Sequence, residues 1–293
     1  MSDEINKKLD TIIQLLQFIA QNNISQRSIT QPQIVDPDSQ ALLEMIKSPQ
    51  WPEAVPSDLI CSDTEEDKQE RAEGIIETFI TTMPAKFLDL GCGEGHVVAA
   101  MSNRCQKAVG YELIQQGTLN WEAPEGYLLT TQIEKIQDNA PYDAILIYDV
   151  IDHIIGSQNN SQLAPIMAQA KQYLQADGKI YLRAHPWTGR HGGHLYKKLN
   201  KAFAHFFLTK EEINTLGHEE ELIQKLLHPI GTYNFLFNKM GLKVLTKSEP
   251  KNIDPYFNQP IFQKRLAKIY KESLAKGWQL EWGFEFCDYV LTH

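Results

Sequence analysis

The chain has 293 residues, of which 42% are apolar, 10% aromatic and 22% charged, enough for a substantial core and ordinary for a soluble globular protein. Its formal charge of −9 works against unspecific attachment to nucleic acid or to an acidic membrane, and no apolar run reaches the roughly 18 residues that span a bilayer. The N-terminus lacks a signal-peptide pattern, and Cys61, Cys92, Cys105 and Cys287 show neither CxxC nor zinc spacing, which fits a reducing, cytoplasmic setting.

Residues 1–24 are expected to form one helix. Ile5, Leu9, Ile12, Leu16 and Ile19 are spaced 4, 3, 4 and 3, a heptad seam with leucine at a and isoleucine at d. That arrangement favours trimers or tetramers over dimers. The helix is therefore expected to make a homo-oligomer, tetramer preferred; packing on the main domain is the alternative. Residues 25–60 read as a linker with a short helix (ALLEMIKS), because 25–40 are polar, carry two prolines and show no period. The main domain is expected over 61–293. Ser62, three residues before Glu65, predicts a capping box for a helix reaching about Thr82, with Ile75, Ile76, Phe79 and Ile80 on its apolar face.

The stretch FLDLGCGEGHVVAA follows. KFLDL is a short apolar run, a buried-strand pattern, and GHVVAAMSNR reads as a helix. Gly91, Gly93 and Gly95 therefore fall on a strand-to-helix turn, where residues without Cβ let the backbone turn sharply and approach a ligand. The next strand, KAVGYEL, ends in Glu112, 21 residues after Gly91. An acid there can accept hydrogen bonds from both hydroxyls of a ribose. Turn and acid together indicate a nucleoside-containing ligand. GYLLTT, YDAILIYDV and GKIYLRA continue the strand–helix alternation, which implies a parallel sheet covered on both faces. The ligand is expected at the carboxyl ends of its strands.

With LDLGCGEG, the acid of GYEL, YDAILIYDVIDHI and the strand after LQADGK, the chain resembles class I S-adenosylmethionine-dependent methyltransferases over about residues 70–185. The resemblance implies an α/β fold with a seven-stranded, mostly parallel sheet, the last strand antiparallel; GLKVLTKSEP and EWGFEFCDYVLTH suit the sixth and seventh strands. It implies S-adenosyl-L-methionine as cofactor. Asp89, Gly91, Gly93 and Gly95 would surround its methionine part, Glu112 would take the ribose, and Leu113 would flank the adenine. After the third strand the family often has an acid for the adenine amine. Here Gln132 and Ile133 stand instead, and Gln132 can accept through its carbonyl. Asp149 would lie beside the reacting methyl. A dehydrogenase is the nearest rival, but the residue completing its G-x-G-x-x-G fingerprint is His96.

The substrate-side segment, 183–230, opens in a basic island. From Gly178 to Lys210 there is no acidic residue, and the same 33 residues hold seven Lys or Arg and four of the nine histidines. LYKKLNKAFAHFFL is amphipathic, with Leu195, Leu199, Ala202, Phe203 and Phe206 as an apolar stripe expected in the core. Arg183, His185, Trp187, Arg190, His191 and His194 form a basic, aromatic loop expected to wall the acceptor pocket. Its arginines suit a carboxylate or phosphate. A metal on His185, His191 and His194 with Asp149 or Asp152 is a lesser alternative, lacking a compact ligand motif. Asp149, Asp152, His153 and His185 are the candidate bases. YDVIDH lacks the DPPY-like motif of amino-group DNA methyltransferases and the Pro-Cys of cytosine-C5 enzymes, and Arg183 replaces the lysine of one RNA ribose class. The acceptor is expected to be a small molecule. Nucleic acid or protein bound through residues 179–210 is one alternative, and a non-catalytic assembly subunit is another.

Overall fold

Seven strands form a single sheet in the order β3-β2-β1-β4-β5-β7-β6. In the computed structural model, which describes residues 37–56, 64–117, 119, 121, 126–151, 163–218, 230–248, 251, 253–278 and 280–293, the strands are β1 (Lys86–Leu90), β2 (Lys107–Tyr111), β3 (Tyr127–Thr130), β4 (Tyr142–Tyr148), β5 (Leu174–Ala184), β6 (Lys243–Lys247) and β7 (Cys287–Thr292). β1 pairs in parallel with β2 and β4, β2 with β3, and β4 with β5, whereas β7 runs antiparallel to both β5 and β6. This is the mostly parallel sheet with an antiparallel last strand that the sequence resemblance implies. Order reverses between β1 and β4, which places a crevice at their carboxyl ends.

Central strands are buried on both faces, as crossover helices require. Alternation sorts their side chains. Leu88, Leu90, Val109, Ile145, Ile147, Ile180 and Leu182 share one core with residues of α4 (Ile133–Asn139), α5 (Leu163–Tyr173) and α8 (Ile230–Lys239). Phe87, Ala108, Ala144, Leu146 and Tyr181 point the other way. They pack with Ile75, Ile76 and Phe79 of α2 (Glu65–Phe79) and with Val98 and Met101 of α3 (His96–Ser102). The capping box of α2 lies two residues later than the sequence suggests: Thr64, not Ser62, caps it, with Asp67 as the reciprocal acid.

A third, aromatic core has no strand. It joins Leu42, Ile46 and Trp51 to Leu195, Phe203, Phe206, Phe207, Phe257 and Phe262. Its elements are α1 (Pro37–Met45), a 3-10 turn at Gly192–Lys197, α6 (Ala204–Phe207), α7 (Lys210–Thr215), a second 3-10 turn at Pro255–Asn258 and α9 (Pro260–Ala275). The apolar stripe of 195–206 is buried, but not on one helix. Phe203 takes φ +56 and separates the 3-10 turn from α6.

The chain divides into compact units at residues 1–40 and 41–293. Residues 41–56 thus belong to the main unit rather than to a linker, and the expected start at residue 61 is too late. The reason is Trp51, which is fully buried, lies 5.0 Å from Phe262 edge-on, and donates its indole N–H to Ala202 O at 2.9 Å. Val55 and Asn200 exchange two further bonds. The expected helix 1–24 lies outside the described residues. Among the described residues no helix is long and apolar enough to cross a membrane. Trp51→Ala should destabilise the domain by about 3–5 kcal/mol, the usual loss for a buried aromatic. Urea unfolding measures it; a linker residue would show almost no change.

Candidate functional site

The glycine turn lies between β1 and α3, and all three glycines need positive φ: +84 at Gly91, +53 at Gly93 and +91 at Gly95. L-residues adopt that region rarely. Packing adds a second reason at two of them. A Cβ on Gly91 would come within 2.4 Å of Val150 Cγ2, and one on Gly95 within 2.6 Å of Leu129 Cδ1. A Cβ on Gly93 would meet nothing within 4 Å, so this glycine faces open space. The turn is pinned from behind, since Gly91 N–H and Cys92 N–H both donate to Tyr111 O, at 2.8 and 3.0 Å.

Glu112 sits one residue past β2 and faces the turn. Its Oε2 accepts from Gly93 N–H at 3.2 Å and its Oε1 from Leu113 N–H at 2.7 Å. The carboxylate is therefore held in place with lone pairs left for two hydroxyls. Beside it Leu113 and Ile114 are 76% and 71% exposed, an apolar pair without cover. Past β3, Gln132 is exposed; its backbone N–H donates to Thr130 Oγ1 at 3.0 Å, and Ile133 opens α4 half-buried. Asp89, near the end of β1, is 3% exposed. Burial, with the Glu112 charge second, raises its pKa from 3.8 to about 7. An uncovered glycine, a carboxylate held with lone pairs to spare and a buried acid could together hold a nucleoside ligand with a charged tail.

Residues 88–182 match the family model of a methyltransferase domain. Over these residues the chain is similar to a methyltransferase domain. Among solved structures it is similar to a SAM-dependent methyltransferase from Archaeoglobus fulgidus, 16% identical over 78% of this chain and 95% of that one, TM-score 0.42. It is also similar to the plantazolicin methyltransferase BpumL bound to a desmethylPZN analogue and SAH (14% identical, 77% and 82% covered, TM-score 0.41). A third is the N-methyltransferase NodS from Bradyrhizobium japonicum (8%, 78% and 98%, TM-score 0.42). At such low TM-scores these likenesses carry no weight, and fold and site stand on the domain match and on the chain's own geometry. The comparison with curated proteins finds no match.

At the carboxyl end of β4, Asp149 has φ +54, a left-handed conformation that costs about 1–3 kcal/mol for a residue other than glycine. Its N–H donates to Arg183 O at 3.0 Å. Its Oδ1 is buried and lies 3.3 Å from His185 Nε2, close enough for an ion pair but without hydrogen-bond alignment. Asp152 and His153 lie outside the described residues.

The loop after β5 is more structural than its composition suggests. Arg183 does not present an open fork to an acceptor. Its Nε and Nη2 donate to Asp288 at 2.6 and 2.7 Å, Nη1 donates to Tyr148 OH at 3.0 Å, and its guanidinium stacks 3.9 Å from the centre of Phe286. Arg190 is spent likewise, donating to the carbonyls of Ala54 and Glu53. His185 and His191 are 4% and 5% exposed. Their rings meet edge-to-face at 5.0 Å and both contact Phe286, so both are packed among aromatic rings. The His194 side chain lies outside the described residues. Trp187 packs on Phe206. Asp288, Tyr148 and Phe286 were not legible as partners of Arg183; strand pairing brings the first two to it, and Phe286 packs against its guanidinium.

Behind the turn, Lys68 of α2 donates to Glu94 at 2.7 Å and to Glu65 at 3.1 Å, and Glu65 also lies 3.1 Å from His96. Glu65, Glu94 and His96 bring three metal-ligand atoms within 4.8 Å of one another, but the Lys68 ammonium already supplies the cation.

The raised pKa of Asp89 makes the turn sensitive to pH. Between 3.8 and about 7 the folded chain keeps a proton that the unfolded chain has lost, so this group's stabilising contribution falls as pH rises through that window. A cation bound beside Asp89 favours its ionised form. S-adenosylhomocysteine, which carries an ammonium, should therefore bind more weakly as pH falls below about 7. Calorimetry at pH 5.5 and 8 should show the difference in the wild type and little of it in Asp89→Asn.

Proposed function

We propose that the protein transfers a methyl group from S-adenosylmethionine to a small-molecule acceptor, with the Asp149 carboxylate beside the reacting atoms. The cofactor supplies the electrophilic methyl. The protein's part is then to hold the acceptor in line with that methyl and to receive its proton. The observation that carries this reading is the conformation of Asp149. A left-handed aspartate at the carboxyl end of β4, next to Gly91 through Val150, has its side chain 30% exposed, while the imidazole behind it is 5% exposed.

That difference in exposure supports separate roles for the two groups. Asp149 reaches the crevice and accepts the acceptor's proton. His185 stands behind it as a positioning residue and balances the carboxylate's charge when protonated. Holding the cofactor falls to Asp89, Gly91, Gly93, Gly95 and Glu112, with Leu113, Gln132 and Ile133 around the base.

A small acceptor is favoured over nucleic acid because three of the seven basic residues of the island, both arginines among them, are bonded inside the domain. Arg183 and Arg190 are bonded to protein groups, and Lys201 donates to the carbonyls of Ser48 and Trp51. Phosphate tracking needs charges that remain available. The heptads of residues 1–24 are proposed to hold three or four such subunits together. Deleting them should lower the mass read by light scattering and leave the urea midpoint of the main unit unchanged.

Methyl-labelled cofactor incubated with a cell lysate separated into small-molecule, protein and nucleic-acid fractions tests the acceptor class. Label is expected in the small-molecule fraction. Asp149→Asn should reduce transfer about 10²–10⁴-fold, the usual share of general-base catalysis, with affinity for S-adenosylhomocysteine retained. His185→Gln should shift the pH profile of transfer. Label in protein or nucleic acid alone would overturn the proposal.

A further inference from the structure

α9 buries a stripe that is only half apolar. Phe262, Arg265, Ile269 and Ser273 are its buried residues, at helical spacings of one face, and two of the four are polar. Arg265 Nη2 donates to Glu212 Oε1 of α7 at 2.6 Å, with both side chains almost wholly buried. This bond ties α9 to α7 at one point. Beside it the elements do not close, and a cleft of about 390 Å³ remains. That is the size of a small-molecule site.

The cleft has a distinct chemistry. Trp187, from the loop after β5, and Trp278, just past α9, hold their indoles 6.0 Å apart at 64°, forming an aromatic corner. Lys210, Lys268 and Lys276 also line it. Lys268 lies on α9 and Lys276 is the residue that caps its C-terminus, with Nζ 5.1 Å from the Trp278 ring. Lys268 is exposed and makes no ion pair among the described residues. Against these three cations the lining has one carboxylate, Glu272. A protein of net charge −9 has therefore gathered positive charge around two indoles and the buried Ser273.

We propose that this cleft is a binding site for a small aromatic anion, a flat ring bearing a carboxylate or phosphate. The indoles take the ring, edge-on or stacked, and the lysines draw in and hold the anionic group. A cation is repelled by the lysines. An aliphatic anion leaves the indole corner unfilled. No residue of the Gly93–Glu112 crevice lines the cleft, so the site stands independently of methyl transfer. The β5 loop runs between the two, with His185 near Asp149 and Trp187 lining the cleft.

Calorimetry on the full chain tests it with indole-3-acetate, benzoate and phenyl phosphate, each against its neutral counterpart: indole-3-acetamide, benzamide and phenol. At least one anion should bind saturably and at least tenfold more tightly than its counterpart. Lys268→Glu combined with Lys276→Glu, both exposed positions, should weaken that binding at least tenfold and leave S-adenosylhomocysteine affinity unchanged. Trp187→Leu should weaken anion and neutral counterpart alike. If no anion binds, if the neutral forms bind equally, or if the double variant keeps full affinity, the cleft is not such a site.

Discussion

The structure depends on one backbone constraint: the chain takes three left-handed glycines within five residues while the sheet closes on both sides of the turn. Val150 and Leu129 stand where Cβ atoms of Gly91 and Gly95 would project. The turn is therefore set by its neighbours as much as by its own sequence. The strands that supply those neighbours are the ones that deliver Asp149 and Gln132 to the same end of the sheet. Because Tyr111 O takes two N–H groups of the turn, β2 also fixes where Glu112 stands. The crevice at the switch between β1 and β4 is, on this geometry, a product of sheet packing.

The loop after β5 and the aromatic cap around it are built on a different principle. There the chain is held by side chains reaching backbone carbonyls and by aromatic contacts. Arg190 and Lys201 hold residues 48–54, Trp51 returns a bond to Ala202, and the phenylalanines fill the space between. Arg183 joins this cap to the sheet through Asp288. Basic residues here act mainly as long, planar or flexible donors that satisfy buried oxygens.

That contrast explains what was legible in the sequence. The glycines, Glu112 and the strand periodicity depend on local rules, namely φ > 0, alternation and spacing, and each appears in the structure where it was read. Partnership is not local. Arg183 and Asp288 are far apart in the chain, and only antiparallel pairing of β5 with β7 unites them. The run 41–56 looks like a linker because prolines break its period, yet a single indole commits it to the core. The stripe of 195–206 has helical spacing, but the left-handed Phe203 divides it. Composition showed that residues 183–194 are unusual without showing which of their groups the protein itself consumes.

The central claim is that the glycine turn and Glu112 hold S-adenosylmethionine. Titration of the protein with S-adenosylhomocysteine and with NAD, in wild type and Glu112→Ala, tests it most directly. Expected are saturable binding of S-adenosylhomocysteine, none of NAD, and a loss of about 1.5–3 kcal/mol in the variant, the worth of hydrogen bonds to a charged group. Binding of NAD without S-adenosylhomocysteine, or an unchanged affinity in Glu112→Ala, would contradict it.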